Sequence, residues 1–191
     1  KLNKIRKKNK FIKIFKNKKK GLGSAINIGI RKSKSEYLCI FMCDLSDDTN
    51  DIIKYFKIIK KDKNLHAVFG TRFSKFSKVE NYPFFKLILN RLANNLIKIV
   101  TLTDYNDFTN AFKIYKKETL NKLMPLVSEN FNIFLELPLK IISRKYKYKI
   151  IPINWNGRTT GVSKFKIKEI GSMYIFTLCY CLLEKILLNK K

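Results

Sequence analysis

The chain has 191 residues, a length that suits one α/β domain with a small appendage. Apolar residues make up 46% of it, enough for a proper core, which excludes global disorder. The formal net charge of +27, from 41 basic and 14 acidic residues, favours phosphate-bearing partners such as nucleic acid, anionic lipid or phosphorylated ligands, although lysines spread over the whole surface by compositional bias give the same total.

The cysteines are Cys39, Cys43, Cys179 and Cys181. None forms a C-x-x-C pair and all lie in apolar runs, so buried reduced thiols in a reducing compartment are expected rather than zinc or disulfides. No signal-peptide pattern is present. The longest uncharged apolar run, Ile170 to Leu183, is too short for a normal membrane span and fits a core, re-entrant or interfacial helix.

Residues Lys10 to Phe15 alternate basic and apolar, which predicts a short strand. Gly21-Leu22-Gly23-Ser24 follows a Lys-rich turn, and Ser24 is placed to cap a helix running to about Ser33. Tyr37 to Cys43 is nearly continuously apolar, the mark of a strand covered on both faces. It ends abruptly in Asp44-Leu45-Ser46-Asp47-Asp48. A helix with Ile52, Ile53, Phe56 and Ile59 on one face comes next, then a strand over Leu65 to Gly70. Strand, helix and strand in that order argue for a right-handed βαβ unit.

Pro83 to Val100 predicts a long helix with proline at its start. Its apolar arc is very wide, which suits either a buried core helix or one lying in a membrane interface. A polar segment, Thr103 to Asn110, precedes an apolar run to Tyr115. A helix over about Asn132 to Ser143, a strand over Lys147 to Ile153, a loop over Asn156 to Lys164 and a last amphipathic helix complete the chain. No internal repeat or clear linker is visible.

Ligands of open α/β sheets bind beyond the carboxyl ends of the strands, and Asp44 lies at such an end. Three carboxylates within five positions stand out in so basic a chain. Oxygen ligands of this kind suit Mg²⁺ or Mn²⁺, and Asp44 with Ser46 and Asp47 is the candidate set. Helix capping is the competing explanation: Asp48-x-x-Asp51 before an apolar run has the form of a capping box. Capping accounts for Asp48 and Asp51 but not for Asp44, which lies too far upstream. His66, the single histidine, is read as structural, as is Glu136, which pairs with Lys140 at helical spacing.

Phe41-Met42-Cys43-Asp44-Leu45-Ser46-Asp47-Asp48 resembles the metal-binding segment of family-2 glycosyltransferases of the dolichyl-phosphate mannose synthase type. Gly70-Thr71-Arg72 resembles their Gly-Ser-Arg. Asp107-Phe108-Thr109-Asn110-Ala111-Phe112-Lys113 is similar to their Asp-x-Thr-x-Gly-Phe-Arg, and Arg158-Thr159-Thr160-Gly161-Val162-Ser163-Lys164 to their Arg-x-x-Gly-x-Ser-Lys. The four motifs occur in the family's order. Met42 stands where the first acid of Asp-x-Asp usually lies, Ser46 where a Gln is common, and Lys113 where Arg is usual. The family's opening strand with Pro-x-x-Asn-Glu, and the next strand with its Asp-rich end, have no counterpart.

The resemblance implies an α/β, GT-A-like (Rossmann-like) fold with a mostly parallel sheet flanked by helices, truncated at the N-terminus and carrying amphipathic membrane-interface helices. Residues 1–166 would form the catalytic domain and 167–191 a C-terminal interface helix. The implied reaction is an inverting, metal-dependent transfer of a sugar from a nucleotide sugar (GDP-mannose or a UDP-sugar) to a polyprenyl or dolichyl phosphate. It would take place at the cytoplasmic face of a membrane. Asp44 would be the principal ligand of Mg²⁺ or Mn²⁺, helped by Asp47 and Ser46. Asp44 and Arg158 would be the catalytic pair, with Ser163 and Lys164 on the donor side. Arg72, Lys86, Asn90 and Arg158 would hold the acceptor phosphate, since guanidinium binds two oxygens at once. Lys86 and Asn90 lie four apart and share a helix face. The acceptor phosphate is anionic at neutral pH and needs no general base. A family-2 enzyme with a glycan acceptor, a non-catalytic membrane-attached relic and a basic nucleic-acid-binding module are the alternatives. The aromatics fall in apolar runs without a basic recognition motif, so no nucleic-acid partner is expected.

Overall fold

A computed structural model describes residues 2–158 and 167–188. Four strands form the main sheet in the order β1-β4-β2-β5: β1 Tyr37–Ile40, β2 Ala67–Thr71, β4 Lys113–Lys116 and β5 Tyr148–Pro152. β2 and β5 pair in parallel, Ala67 opposite Tyr148 and Thr71 opposite Pro152. β4 runs antiparallel to both of its neighbours, with Ile40 and Phe69 each opposite Lys113. Three strands therefore share one direction, as expected. The expected βαβ unit is split, because β4 inserts between β1 and β2. A small two-stranded ribbon, β3 Val79–Glu80 with β6 Trp155–Asn156, stands beside the sheet.

The alternation of side chains along the strands sorts the core into two layers. Val68, Ile114 and Ile151 face α3 (Thr49–Lys61), which buries Tyr55 and Ile59 against them. Ala67, Phe69 and Tyr115 face the other way. There they meet Ile30 of α2 (Leu22–Lys32), Ile97 of α4 (Phe84–Thr101) and most of α6 (Ile133–Ser143). The last helix, α7 (Ile167–Leu188), packs along α6 through Thr177 and Cys181. No helix among the described residues is long and apolar enough to cross a membrane.

Several local expectations change. No strand forms over Lys10 to Phe15, where Phe11 is almost fully exposed and has no neighbouring strand to pair with. Instead a short helix, α1 (Leu2–Lys8), precedes it. α2 starts two residues before Ser24. Gly21 is its N-cap at φ 118°, and the Ser24 hydroxyl turns back to donate to Asn17 Oδ1. Only glycine fits at Gly21, since a Cβ there would lie 2.2 Å from the Glu129 carbonyl oxygen. A further short helix, α5 (Lys117–Lys122), follows β4 directly. All four cysteines are free, but Cys43 and Cys179 are exposed rather than buried. Burial pushes the thiols of the other two, Cys39 and Cys181, up to about 12, which keeps them inert.

Candidate active site

The antiparallel insertion of β4 positions the site. It brings the polar segment that enters β4 to the edge of the sheet where β1, β2 and β5 end. Four stretches thus converge: Asp44 to Asp48 after β1, Arg72 after β2, Asp107 to Asn110 before β4, and Trp155 to Arg158 after β5.

Beyond β1, Leu45 adopts a left-handed backbone at φ 63°, uncommon for a branched apolar residue, with its side chain in solvent. The Asp44 carboxylate accepts the Ser46 N–H at 3.2 Å and closes the turn. Leu45 therefore points out while Ser46 and Asp47 turn in, both buried. The Ser46 hydroxyl and Asp47 Oδ1 are buried without a hydrogen-bond partner among the described residues. Burial pushes the Asp47 carboxyl up to about 6; Arg72 pulls it back, and Asp44, Asp107 and Asp51 push it further. Asp48 lies outside this cluster. It caps α3 by accepting the Asn50 N–H at 2.8 Å, as the capping explanation requires. Asp51 is buried in the first turn of that helix and bound to Lys54 at 2.7 Å, in place of the back-bond of a capping box.

Arg72 is 7% exposed and meets a fully buried Asp107. Its Nε and one terminal nitrogen donate to the two carboxylate oxygens at 2.9 and 2.7 Å, and its backbone N–H adds a bond of 2.9 Å. Burial opposes the guanidinium charge, but Asp107 outweighs it and pushes the Arg72 pKa up. The rings of Phe73, Tyr82 and Trp155 surround the guanidinium at 5.2–5.7 Å. The Lys113 amino group donates to the carbonyls of Phe108 and Asn110 and so fixes the turn that presents Asp107.

The β3–β6 ribbon ties these parts together. Asn156 N–H donates to the Ser46 carbonyl and Trp155 N–H to the Lys78 carbonyl, both at 2.9 Å. Gly157 passes so close to Asn81 that a Cβ would lie 2.1 Å from its carbonyl oxygen. Arg158 follows directly and is exposed. Between ribbon and loop lies a cleft of about 260 Å³, lined by Ser46, Asp47, Lys78, Glu80, Asn154 and Trp155 among others. The ribbon side of this cleft carries no motif in the sequence. Its one available signal was the chain's single tryptophan set in the polar run Asn154-Trp155-Asn156.

The remaining expected residues are placed less centrally. Asn90 donates to the Thr109 hydroxyl at 2.8 Å and accepts from Asn94, so it joins α4 to the segment before β4. Lys86 is half-buried one turn earlier on α4. Ser163 and Lys164 lie outside the described residues. His66, at the far end of β2, bonds the Thr119 hydroxyl at 2.8 Å and packs on Tyr146, a structural role.

Among the described residues no group of three or more His, Cys, Asp or Glu side chains is arranged to hold a metal by itself. The Asp44–Asp47 loop nevertheless fits a hard cation that takes one or two carboxylates and completes its shell with substrate phosphates and water. The buried oxygens of Asp47 and Ser46, without partners among the described residues, are the donors such an ion would use.

The chain is similar to several known proteins. The chain is 28% identical over 162 residues to a dolichol-phosphate mannosyltransferase of Pyrococcus furiosus, covering 82% of this chain and 44% of that protein. It is 25% identical over 122 residues to a polyprenol monophosphomannose synthase of Mycolicibacterium smegmatis, covering 58% and 46%. The chain thus spans about half the length of the curated relatives it matches. Among solved structures, glucosyl-3-phosphoglycerate synthase of Mycobacterium tuberculosis with uridine diphosphate superposes with a TM-score of 0.60 at 12% identity, over 85% of this chain and 55% of that one. The same enzyme with Mn²⁺, UDP-glucose and phosphoglyceric acid gives 0.60 at 13% identity, over the same shares. These likenesses establish the GT-A-like fold. Residues 1–124 match the family described as glycosyl transferase family 2, and the chain belongs to that family.

Proposed function

We propose that this chain is the core of an enzyme that moves a sugar from a nucleotide sugar, GDP-mannose or a UDP-sugar, to a polyprenyl phosphate at a membrane surface. The observation that carries the reading is the loop after β1. It holds two buried polar oxygens without partners among the described residues, beside a carboxylate that stays in reach of solvent. In this reading Asp44 is the principal ligand of Mg²⁺ or Mn²⁺, with Asp47 and Ser46 beside it. When bound, the ion offsets the charge of the departing nucleotide diphosphate. Two solved structures of one similar enzyme hold Mn²⁺ with UDP-glucose and Mg²⁺ with uridine diphosphate, which supports the cation class without choosing between the two.

Arg158, exposed just after the ribbon, serves both the donor diphosphate and the acceptor phosphate. Ser163 and Lys164 complete the donor side. Lys86 and Arg72 supply positive charge on the acceptor side. Arg72 is buried and already engaged with Asp107, so its charge acts from behind the site edge rather than by direct contact. Asn90 holds Thr109 in place beneath them. An acceptor phosphate attacks as an anion, in keeping with a site edge that carries no histidine. The lipid acceptor is favoured over a glycan or nucleic acid by α4, which begins next to the ribbon and leaves Phe84, Phe85, Ile88, Leu92 and Leu96 exposed along one face. A face of that kind suits the headgroup and acyl boundary of a bilayer, and the net charge suits an anionic, cytoplasmic leaflet.

The test is a panel of labelled nucleotide sugars with polyprenyl phosphate, using the full-length protein and its Asp44→Asn variant. Label should pass into organic solvent only with a divalent cation, and the substitution should abolish it. Undiminished labelling in the variant defeats the assignment. Label that stays in the aqueous phase points to a glycan acceptor instead.

A further inference from the structure

A second cleft, of about 800 Å³, opens where α4 ends, lined by Lys98, Ile99, Leu102, Lys145 and Tyr148 among others. It lies at the opposite edge of the sheet from the Asp44 loop, beside the start of β5. Three features bear on what it can hold. First, two of its lining residues, Leu102 and Lys145, have left-handed backbones at φ 52° and 55°, although neither is glycine. Second, the strained Leu102 is 90% exposed, and Ile99 beside it is also exposed, so the rim continues the apolar face of α4. Third, Lys98 and Lys145 are in no ion pair among the described residues, and they face a single aspartate, Asp104, across the lining. The Tyr148 hydroxyl shares a hydrogen bond of 2.7 Å with Thr103 at the base.

We propose that this cleft binds the phosphate-bearing headgroup of an anionic phospholipid. Lys98 and Lys145 hold the phosphate, while Ile99 and Leu102 enter the acyl zone. An 18-residue helix is roughly 27 Å long, so α4 laid on a bilayer would touch it from Phe84, near the proposed active site, to Leu102 at this cleft. Headgroup capture at the far end would fix the helix on the surface and hold the active-site edge against it. Strain at Leu102 is then explained: its left-handed turn ends the helix while keeping an apolar side chain on the membrane side. The inference rests on the membrane-surface part of the reading above and not on the transfer reaction.

The experiment is co-sedimentation of the full chain, without sugar nucleotide, with phosphatidylcholine vesicles that contain or lack phosphatidylglycerol, near physiological ionic strength. The variant is Lys98→Glu with Lys145→Glu. Its control is Lys57→Glu with Lys61→Glu on exposed positions of α3, across the sheet, with the same change in net charge. The cleft variant should lose on the order of ten-fold or more in apparent affinity for the anionic vesicles, and the control about two-fold. Equal losses would show that the overall charge, not the cleft, binds the membrane. No loss in the cleft variant, or wild-type binding to neutral vesicles as strong as to anionic ones, overturns the proposal as well. Should charge reversal prevent folding, Lys98→Gln with Lys145→Asn keeps the test, since Asn tolerates the left-handed backbone. It should still lose several-fold more than Lys57→Gln with Lys61→Gln. Sugar transfer to detergent-dispersed polyprenyl phosphate is measured separately, so failure of the enzyme reading and failure of the cleft are distinguishable.

Discussion

Arg72 grips Asp107 through a two-nitrogen fork, and its own backbone N–H bonds the same carboxylate. The pair joins the end of β2 to the segment that enters β4, two stretches 35 residues apart in sequence. With both groups buried, removing one partner strands the other charge in a low-dielectric interior.

Asp107→Asn should therefore destabilise the fold by about 3–5 kcal/mol. The Arg72→Met, Asp107→Leu double variant should cost clearly less than the sum of its two single changes, because no lone charge remains. Urea unfolding of the wild type, Asp107→Asn, the two single changes and the double variant checks both statements. Additive costs would mean that the pair is held apart by solvent rather than buried together.

A second buried pair has a different purpose. Lys140 lies 3.2 Å from Glu136, and both are fully buried. Glu136 accepts the N–H groups of Val127 and Ser128, while Lys140 donates to the carbonyls of Leu123 and Pro125. Together they hold the 123–128 segment on α6, and the following residues, Ser128 to Asn130, are the floor against which Gly21 and Gly23 pack. Lys140→Met should cost about 3–5 kcal/mol, read as a lower urea midpoint, and should loosen the start of α2. Hydrogen exchange at Ser24, whose N–H donates to the Glu129 carbonyl, reports that loosening; unchanged protection there would refute the link.

The legibility of these features in the sequence follows the range of the forces behind them. Period and capping are local, so α3 with its Asp48 cap, α4 after Pro83, α6 and β5 fall close to where the pattern puts them. The Glu136–Lys140 pair, one helical turn apart, is also local. What alternation could not reveal is pairing. Lys10 to Phe15 has a strand's pattern but no strand to join, and β4 carries nothing in its sequence that announces its insertion between β1 and β2. The site divides in the same way. Asp44 stood out by its charge in a basic chain, whereas the commitment of Arg72 to Asp107 depends on β4 running antiparallel, a tertiary fact.

Gly70 shows how little room the site edge leaves. A Cβ there would stand 2.0 Å from the Tyr55 hydroxyl oxygen and 2.8 Å from Ile153 Cδ1. Tyr55 cannot yield freely, because its hydroxyl donates to the Phe112 carbonyl at 3.0 Å inside the core. Gly70→Ala should cost about 1–3 kcal/mol by overpacking. Combining it with Tyr55→Phe, which removes the clashing oxygen, should recover part of that cost. If the double variant is no more stable than the sum of the singles predicts, the close approach is not the cause.

Lys113 makes the chain's stability respond to pH in an unusual direction. Burial pushes its amino group down to about 7 from 10.5; Asp107 and Asp47 favour the charge and Arg72 opposes it. In the unfolded chain the same lysine keeps its ordinary, higher pKa. Between the two values the unfolded state binds more protons than the folded one, so this residue's contribution to stability rises with pH. Below about pH 7 the folded state bears the full cost of a buried charge, and the cost fades as pH rises toward the unfolded value. The surface lysines paired to acids, such as Lys54 with Asp51, act in the opposite sense, so a comparison with a variant isolates the effect. Lys113→Met should flatten the curve. The gain in unfolding free energy from about pH 7 to about pH 9.5 should be larger in the wild type by up to about 3 kcal/mol. Parallel curves for the two proteins would mean that Lys113 titrates as it does in water, and that its two carbonyl contacts, not its burial, set its state.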